Sequence, residues 1–176
     1  MVGLLAAVIV IVALPYIVTR SSAEDALNSR DWVTHTADIK ATVYRLDAIL
    51  RSGEAAVYTR VAGGPDAPDL TARIEAPRKQ LPGLVANLRE MMRDNAQQLT
   101  RLGGLESIAN GRIAMFEKAM QQLQAGDRDG AFATMEDSRR LFPFRDQVRE
   151  ILDEESKLLD LRRQAAENLA SNNRIV

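Results

Sequence analysis

The chain of 176 residues contains no cysteine, which excludes a disulfide framework and a thiolate metal site and is compatible with either redox compartment. Aromatic residues make up only 5% of it, and β-branched runs are absent after the N-terminal segment. Neither charge predominates, since the chain has 23 basic and 24 acidic residues. This balance gives no electrostatic reason to bind nucleic acid. Alanine, leucine, arginine, glutamate and glutamine dominate instead, so the composition predicts an all-α protein.

The N-terminal stretch Val2–Val18 differs from the rest, because its seventeen residues carry no charge. As a helix it would cover about 25 Å, just short of a hydrocarbon core of ~30 Å. We therefore predict a transmembrane helix over residues 1–19 that anchors the chain in a membrane. A cleaved secretory signal is the alternative, since residues 21–23 fit a small-x-small cleavage pattern, but no basic segment precedes the apolar run. The missing basic flank also leaves the orientation open.

Four longer stretches repeat their core positions at alternating steps of four and three, a heptad pattern that predicts helices packed at small crossing angles. The first seam contains Trp32, Thr36, Ile39, Val43, Leu46, Leu50, Gly53 and Val57. The second contains Leu70, Ile74, Pro77, Leu81, Leu84, Leu88 and Met91. The third contains Leu99, Leu102, Leu105, Ala109, Ile113, Phe116, Met120 and Leu123. The last contains Phe144, Val148, Ile151, Glu155, Leu158, Arg162, Ala165 and Leu169.

Breaks at residues 63–68, 93–95 and 125–127 separate these seams, and a short helix over 128–138 precedes the last one. Asp69 is a candidate cap for the second helix, and prolines inside that helix predict that its first half is kinked or starts late. Short connections between four seams predict an antiparallel up-down-up-down four-helix bundle over residues 20–172, with long first and last helices. Residues 173–176 end on an apolar pair that we interpret as the possible start of a second transmembrane helix.

Catalytic machinery is not visible in the sequence. His35 is the only histidine and has no carboxylate at metal-ligand spacing, so we interpret it as structural and not as a ligand, a base or a phosphoacceptor. The glycine pairs lack the spacing of a phosphate-binding loop, and no nucleophile, base and orienting residue form a triad. We therefore predict no catalytic residues, no cofactor and no metal site, and no enzyme activity for this segment.

Two polar seam residues of the last helix, Glu155 and Arg162, are the candidate functional residues. Burial of either one alone would be costly, so each should have a partner. Glu54, beside Gly53 in the first seam, is the third member of the predicted polar network. The network either fixes the register of the helices or contacts a ligand or a second subunit.

Four segments of the chain together form a recognisable pattern. Residues 154–162 of the last helix read Glu-Glu-Ser-Lys-Leu-Leu-Asp-Leu-Arg, residues 94–105 open the third helix, and residues 126–131 open the fourth. Glu54 lies in the first helix and Gly64 at its end. These segments resemble the third class of CHASE domain, a four-helix sensory domain of bacterial membrane receptors, although Tyr58, Thr59 and Arg60 stand where Arg-Gly-Tyr is usual in that family.

The resemblance implies an input domain on the periplasmic side of the inner membrane that passes helix displacements to a cytoplasmic output domain. A histidine kinase is the output domain we expect, and a diguanylate cyclase is the other type. The implied assembly is a homodimer, and the stimulus is a small molecule or a protein that the sequence does not identify. The alternatives are a chemoreceptor-type ligand-binding domain and a membrane-anchored helical scaffold without signal output.

Overall fold

A computed structural model describes residues 2–65 and 67–172, and the side chains of residues 32–65, 67–165, 167 and 168. The described residues form five helices and no strand, which confirms the all-α prediction. The helices are α1 (Val2–Val61), α2 (Pro68–Met91), α3 (Ala96–Gln124), α4 (Arg128–Leu141) and α5 (Phe144–Asn172).

Residues 38–154 form one compact unit, and residues 1–37 with 155–176 form another. In the first unit, α4 and α5 both run antiparallel to α3. Gln122 near the end of α3 accepts a hydrogen bond from Thr134 of α4 at 2.7 Å, whereas Gln98 near its start donates to the carbonyl of Ile151 in α5 at 3.4 Å. Residues 142–143 thus interrupt a single fourth arm without reversing it.

The other neighbouring arms are antiparallel as well. Polar contacts join α2 to α3 at Arg78–Glu117 (3.0 Å) and Arg89–Glu106 (2.9 Å), and α1 to α4 at Tyr58–Glu136 and Glu54–Arg139 (2.7 Å each). In each pair of contacts, the residue number rises along one helix and falls along the other. The predicted up-down-up-down bundle is therefore confirmed for residues 38–154.

The core of this unit follows most of the predicted seams. In α1 every seam residue from Thr36 to Val57 is buried, but Trp32 is 37% exposed, so the seam prediction is wrong at that residue. In α2 the predicted seam is confirmed at Leu70, Pro77, Leu81 and Leu88, which are buried. It is wrong by one residue at two positions, because Val85 and Met92, the C-cap residue, are buried where Leu84 and Met91 are half-buried.

Helix α2 begins at Pro68 and continues through Pro77 and Pro82. The predicted Asp69 cap is wrong, since Ala67 holds the N-cap position and makes no side-chain cap. Pro68 fills the first helical position, where the missing N–H costs little, and Asp69 lies in the first turn, where the helix dipole favours a carboxylate. Pro77 is buried against α1, and a Cβ at Gly53 would lie 2.8 Å from its Cγ.

Within the residues whose side chains are described, no helix is long and apolar enough to cross a bilayer. The predicted transmembrane segment over residues 1–19 lies outside the residues whose side chains are described. Residues 173–176, the possible start of a second such helix, lie outside the described residues altogether.

Candidate functional site

Glu54 is the centre of a polar cluster that joins three arms of the bundle. Its side chain on α1 is buried, with a relative exposure of 8% for the whole residue. Arg139 of α4 donates from Nε to Oε1 at 2.7 Å, and Arg112 of α3 donates from Nη1 to Oε2 at 3.4 Å. One carboxylate therefore connects α1, α3 and α4 through two guanidinium groups.

The two arginines differ in their surroundings. The Arg112 side chain is 8% exposed, whereas the Arg139 side chain is 56% exposed. Burial lowers the pKa of Arg112, the carboxylate of Glu54 opposes that effect, and the positive charges of Arg139 and Arg145 add to it. The hydrogen bond to Glu54 raises the pKa of Arg139. Arg112 thus holds a charge in a position where the protein solvates it incompletely.

Tyr58 lies one helical turn from Glu54 and extends the cluster. Its hydroxyl donates to Glu136 Oε1 at 2.7 Å, and the guanidinium of Arg139 lies 4.8 Å from the centroid of its ring. The ring of Phe132 meets it edge-on at 6.2 Å. Burial and the bond to Glu136 raise the pKa of Tyr58 to about 12, while Arg139 acts in the opposite direction. Tyr58, one of the three residues that depart from the family pattern, thus packs against the cation of Arg139.

The other two candidate residues, Glu155 and Arg162, belong to the unit of residues 1–37 and 155–176. Glu155 is 2% exposed, as its seam position predicts. The guanidinium of Arg162 lies 3.8 Å from the centroid of the Trp32 ring, and His35 meets the same ring edge-on at 6.0 Å. The structure thus brings Glu54 to two arginines and Arg162 to Trp32, while a network shared by Glu54, Glu155 and Arg162 stays a prediction.

Sequence reasoning identified neither Arg112 nor Arg139 as a partner of Glu54. A signal for Arg112 was present, because it follows Ala109 by three residues and precedes Phe116 by four, the same spacing that marked the seam. Ile113 occupies the adjacent seam position and is also buried, so the apolar residue concealed the charged one. Arg139 had no comparable signal, since its partner lies 85 residues away.

A cavity of about 420 Å³ adjoins the cluster. It is lined by Glu54, Arg112, Arg139, Pro143, Phe144, Arg145, Asp146 and Arg149. In the part of the chain that was searched, no three histidine, cysteine or acidic side chains are placed to hold a metal ion. The chemistry that these residues offer is hydrogen bonding and charge.

Comparison with known proteins places the chain among sensory domains. The sequence model of the CHASE3 domain family matches residues 29–165. No curated protein and no solved structure matches the chain significantly. CHASE3 domains are extracytoplasmic sensory domains of signalling receptors. Because the match extends over well more than half of the sequence and includes the whole Glu54 cluster, the chain belongs to the CHASE3 domain family.

Proposed function

We propose that this chain is the input domain of a membrane-bound receptor, anchored in the inner membrane by residues 1–19 with its bundle in the periplasm. The observation that carries the proposal is the family match over residues 29–165. The output domain that we propose is a histidine kinase, and the function assigned to the segment itself is sensing and not turnover.

Helices α1 and α5 are the route that we propose for the signal. Each contributes residues to both compact units, and within the unit of residues 1–37 and 155–176 they meet where Arg162 covers the ring of Trp32. A stimulus that favours one arrangement of the bundle shifts the population of states. A change in the relative position of α1 and α5 then accompanies that shift and reaches the membrane side.

A homodimer is the assembly that we propose for the receptor. Among the described side chains of the unit of residues 1–37 and 155–176, the large apolar ones of Trp32 (37%), Val33 (37%) and Leu161 (62%) are exposed. A second copy of the chain that covers these side chains would remove apolar surface from water. Analytical ultracentrifugation of the full chain in detergent measures the assembly directly, and a concentration-independent monomer contradicts this proposal.

Two experiments test the proposed function. Alkaline phosphatase fused after Asn172 is expected to be active, because the proposal places the end of α5 on the periplasmic side. In a chimera, residues 1–176 replace the input domain of a well-characterised histidine kinase receptor, and kinase output is expected to respond to changes in the bundle. An inactive fusion, or an output that no change in residues 38–154 alters, contradicts the proposal and favours a scaffold.

A further inference from the structure

The cavity beside Glu54 has the size and the lining of a small-molecule site. Its volume of about 420 Å³ lies within the ~300–1,000 Å³ range of ligand pockets. Two other cavities provide a comparison. One is lined by α2 alone, where Glu75 and Lys79 form an ion pair at 2.6 Å. The other pairs Arg78 with Glu117 at 3.0 Å. Neither of these has an excess of positive charge.

The cavity beside Glu54 has an excess of positive charge, because its lining contains four arginines and two carboxylates. Glu54 accepts a hydrogen bond from Arg139 at 2.7 Å, and Asp146 lies 3.6 Å from Arg149. These two contacts leave Arg112 with the long 3.4 Å contact to Glu54, and Arg145 forms no ion pair within the described part of the chain. The lining therefore carries about two positive charges that its own acids do not neutralise.

Arg112 is a second, independent indication of a ligand. The residue is 7% exposed, and its Nε–H has no hydrogen-bond partner. Its single contact with Glu54, at 3.4 Å, is longer than the ~2.7–2.9 Å of a charge-assisted hydrogen bond. A guanidinium offers five donors, and a buried donor without an acceptor destabilises the protein. Arg112 also lines the cavity, so an acceptor bound there would give its guanidinium a shorter contact than the one with Glu54.

The start of α5 also favours an anion in the cavity. Helix α5 begins at Phe144, so its first turn lines the cavity together with Arg145 and Arg149. The N-terminal end of a helix favours an anion through its dipole. In α5 the contribution is that of the dipole and of the arginines, since the N–H groups of Phe144 and Asp146 already donate to the carbonyls of Phe142 and Pro143. The planar donors of arginine match the two oxygens of a carboxylate or a phosphate.

We propose that this cavity binds a small dianion whose carboxylate or phosphate oxygens contact Arg112 and Arg145. Arg139 and Glu54 also line the cavity, so a bound dianion competes with Glu54 for the guanidinium of Arg139. Occupancy then changes the link between α1 and α4 and joins α3 to α5 through Arg112 and Arg145. If the chain is a sensory domain, these changes between helices alter signalling, and only that consequence rests on the proposed function.

The test uses the full chain in detergent, with succinate, citrate and inorganic phosphate as separate probes and with sodium chloride added to keep ionic strength constant. Isothermal titration calorimetry is expected to give saturable one-to-one binding of at least one probe. Uncharged succinamide is expected not to bind. The probe that binds distinguishes an organic acid from phosphate as the source of the oxygens.

Arg145→Ala is the decisive variant, because Arg145 is exposed and its loss does not disturb the core. It is expected to weaken binding about tenfold or more, since each charge-assisted hydrogen bond contributes strongly. Arg140→Ala is the matched control, because Arg140 is exposed, pairs with Asp137 at 2.8 Å and does not line the cavity. It is expected to bind as the parent chain does.

Two results overturn the proposal: no binding of any of the three anions, or equal binding by the Arg145→Ala and Arg140→Ala chains. Failure of the sensory function gives a different result. In that case the purified chain binds the anion with the expected dependence on Arg145, but the anion leaves the output of the kinase chimera unchanged. A chimera that responds to changes in the bundle while its purified input domain binds no anion contradicts the cavity proposal alone.

Discussion

At the scale of single residues, Glu54 contacts two arginines that differ in burial, and the more buried one depends more on its counter-ion. Arg112 is 8% exposed and depends on the protein for its solvation, whereas Arg139 is 56% exposed and is also solvated by water. The longer of the two contacts belongs to the more deeply buried arginine. The carboxylate is therefore more important to the stability of the bundle than its bond to Arg139 alone indicates.

Glu54→Gln keeps the shape of the side chain and removes its charge. We expect it to lower the free energy of unfolding by about 3 kcal/mol, because it leaves the buried Arg112 without a counter-ion. Arg139→Gln should cost about 1 kcal/mol or less, because water screens that partner. Glu117→Gln is the control, since Glu117 pairs with Arg78 where both side chains are exposed. Urea unfolding of the three variants checks this, and equal losses for Glu54→Gln and Glu117→Gln would contradict it.

Tyr58 gives the cluster a response to high pH. Its pKa rises from 10.0 to about 12 in the folded chain, so folding favours the protonated phenol. The resulting stabilisation is fully present below pH 10 and is lost as the pH rises through about 12. Ultraviolet absorbance of tyrosinate should show a late step that Tyr58→Phe removes and Tyr44→Phe retains. A titration of Tyr58 that is complete before the pH reaches 12 would refute the expectation.

Some of the polar residues buried between helices could be predicted from the sequence, and others could not. Glu54 and Glu155 were identified because a charged residue at or beside an apolar seam must find a partner, and both are buried. Arg112 was missed because it is adjacent to Ile113, and the heptad pattern identifies a helical face but does not choose between two neighbours on it. Arg139 was out of reach because its partner lies on another helix and far along the chain.

At the scale of helices, close packing of backbones determines which of two neighbouring apolar residues is buried, and the periodicity of the sequence does not. The seam of α1 was predicted correctly from Thr36 onward, and most of the α2 seam is buried as predicted. Near the end of α2, however, Val85 and Met92 are buried where Leu84 and Met91 were expected. Apolar residues at both neighbouring positions made either rotation acceptable. The contact of Pro77 with Gly53 lies at a predicted seam position, and it depends on the absence of a Cβ on α1.

Two glycines of α3 make this packing argument testable. A Cβ at Gly111 would overlap the ring of Phe142, at the break between α4 and α5, whereas a Cβ at Gly103 would meet nothing within 4 Å. We expect Gly111→Ala to destabilise the chain by about 1–3 kcal/mol through overpacking. Gly103→Ala should stabilise it by about 1 kcal/mol, because alanine is the better helix former. Denaturant unfolding measures both, and changes of the same sign would contradict the packing described for Phe142.

At the scale of the whole molecule, the two compact units have different kinds of polar contact between helices. Residues 38–154 hold the Glu54 cluster, in which carboxylates accept hydrogen bonds from arginine and tyrosine. Residues 1–37 and 155–176 join α1 to α5 through the face of Trp32 and the cation of Arg162. A ring face tolerates sliding of a cation better than a hydrogen bond does, because it has no single acceptor atom.

If α1 and α5 transmit the signal, Arg162→Ala in the kinase chimera should change the ratio of output states by about two- to tenfold, the range of a cation–π contact of ~0.5–1.4 kcal/mol. Arg162→Lys should preserve most of the parental output, since an ammonium group also binds to the indole face. Arg163→Ala is the matched control, because Arg163 is the exposed neighbour on the same helix. Kinase autophosphorylation in membranes measures all three. The same output from Arg162→Ala and Arg163→Ala would show that the contact with Trp32 does not set the resting state, and that this contact does not carry the proposed route through α1 and α5.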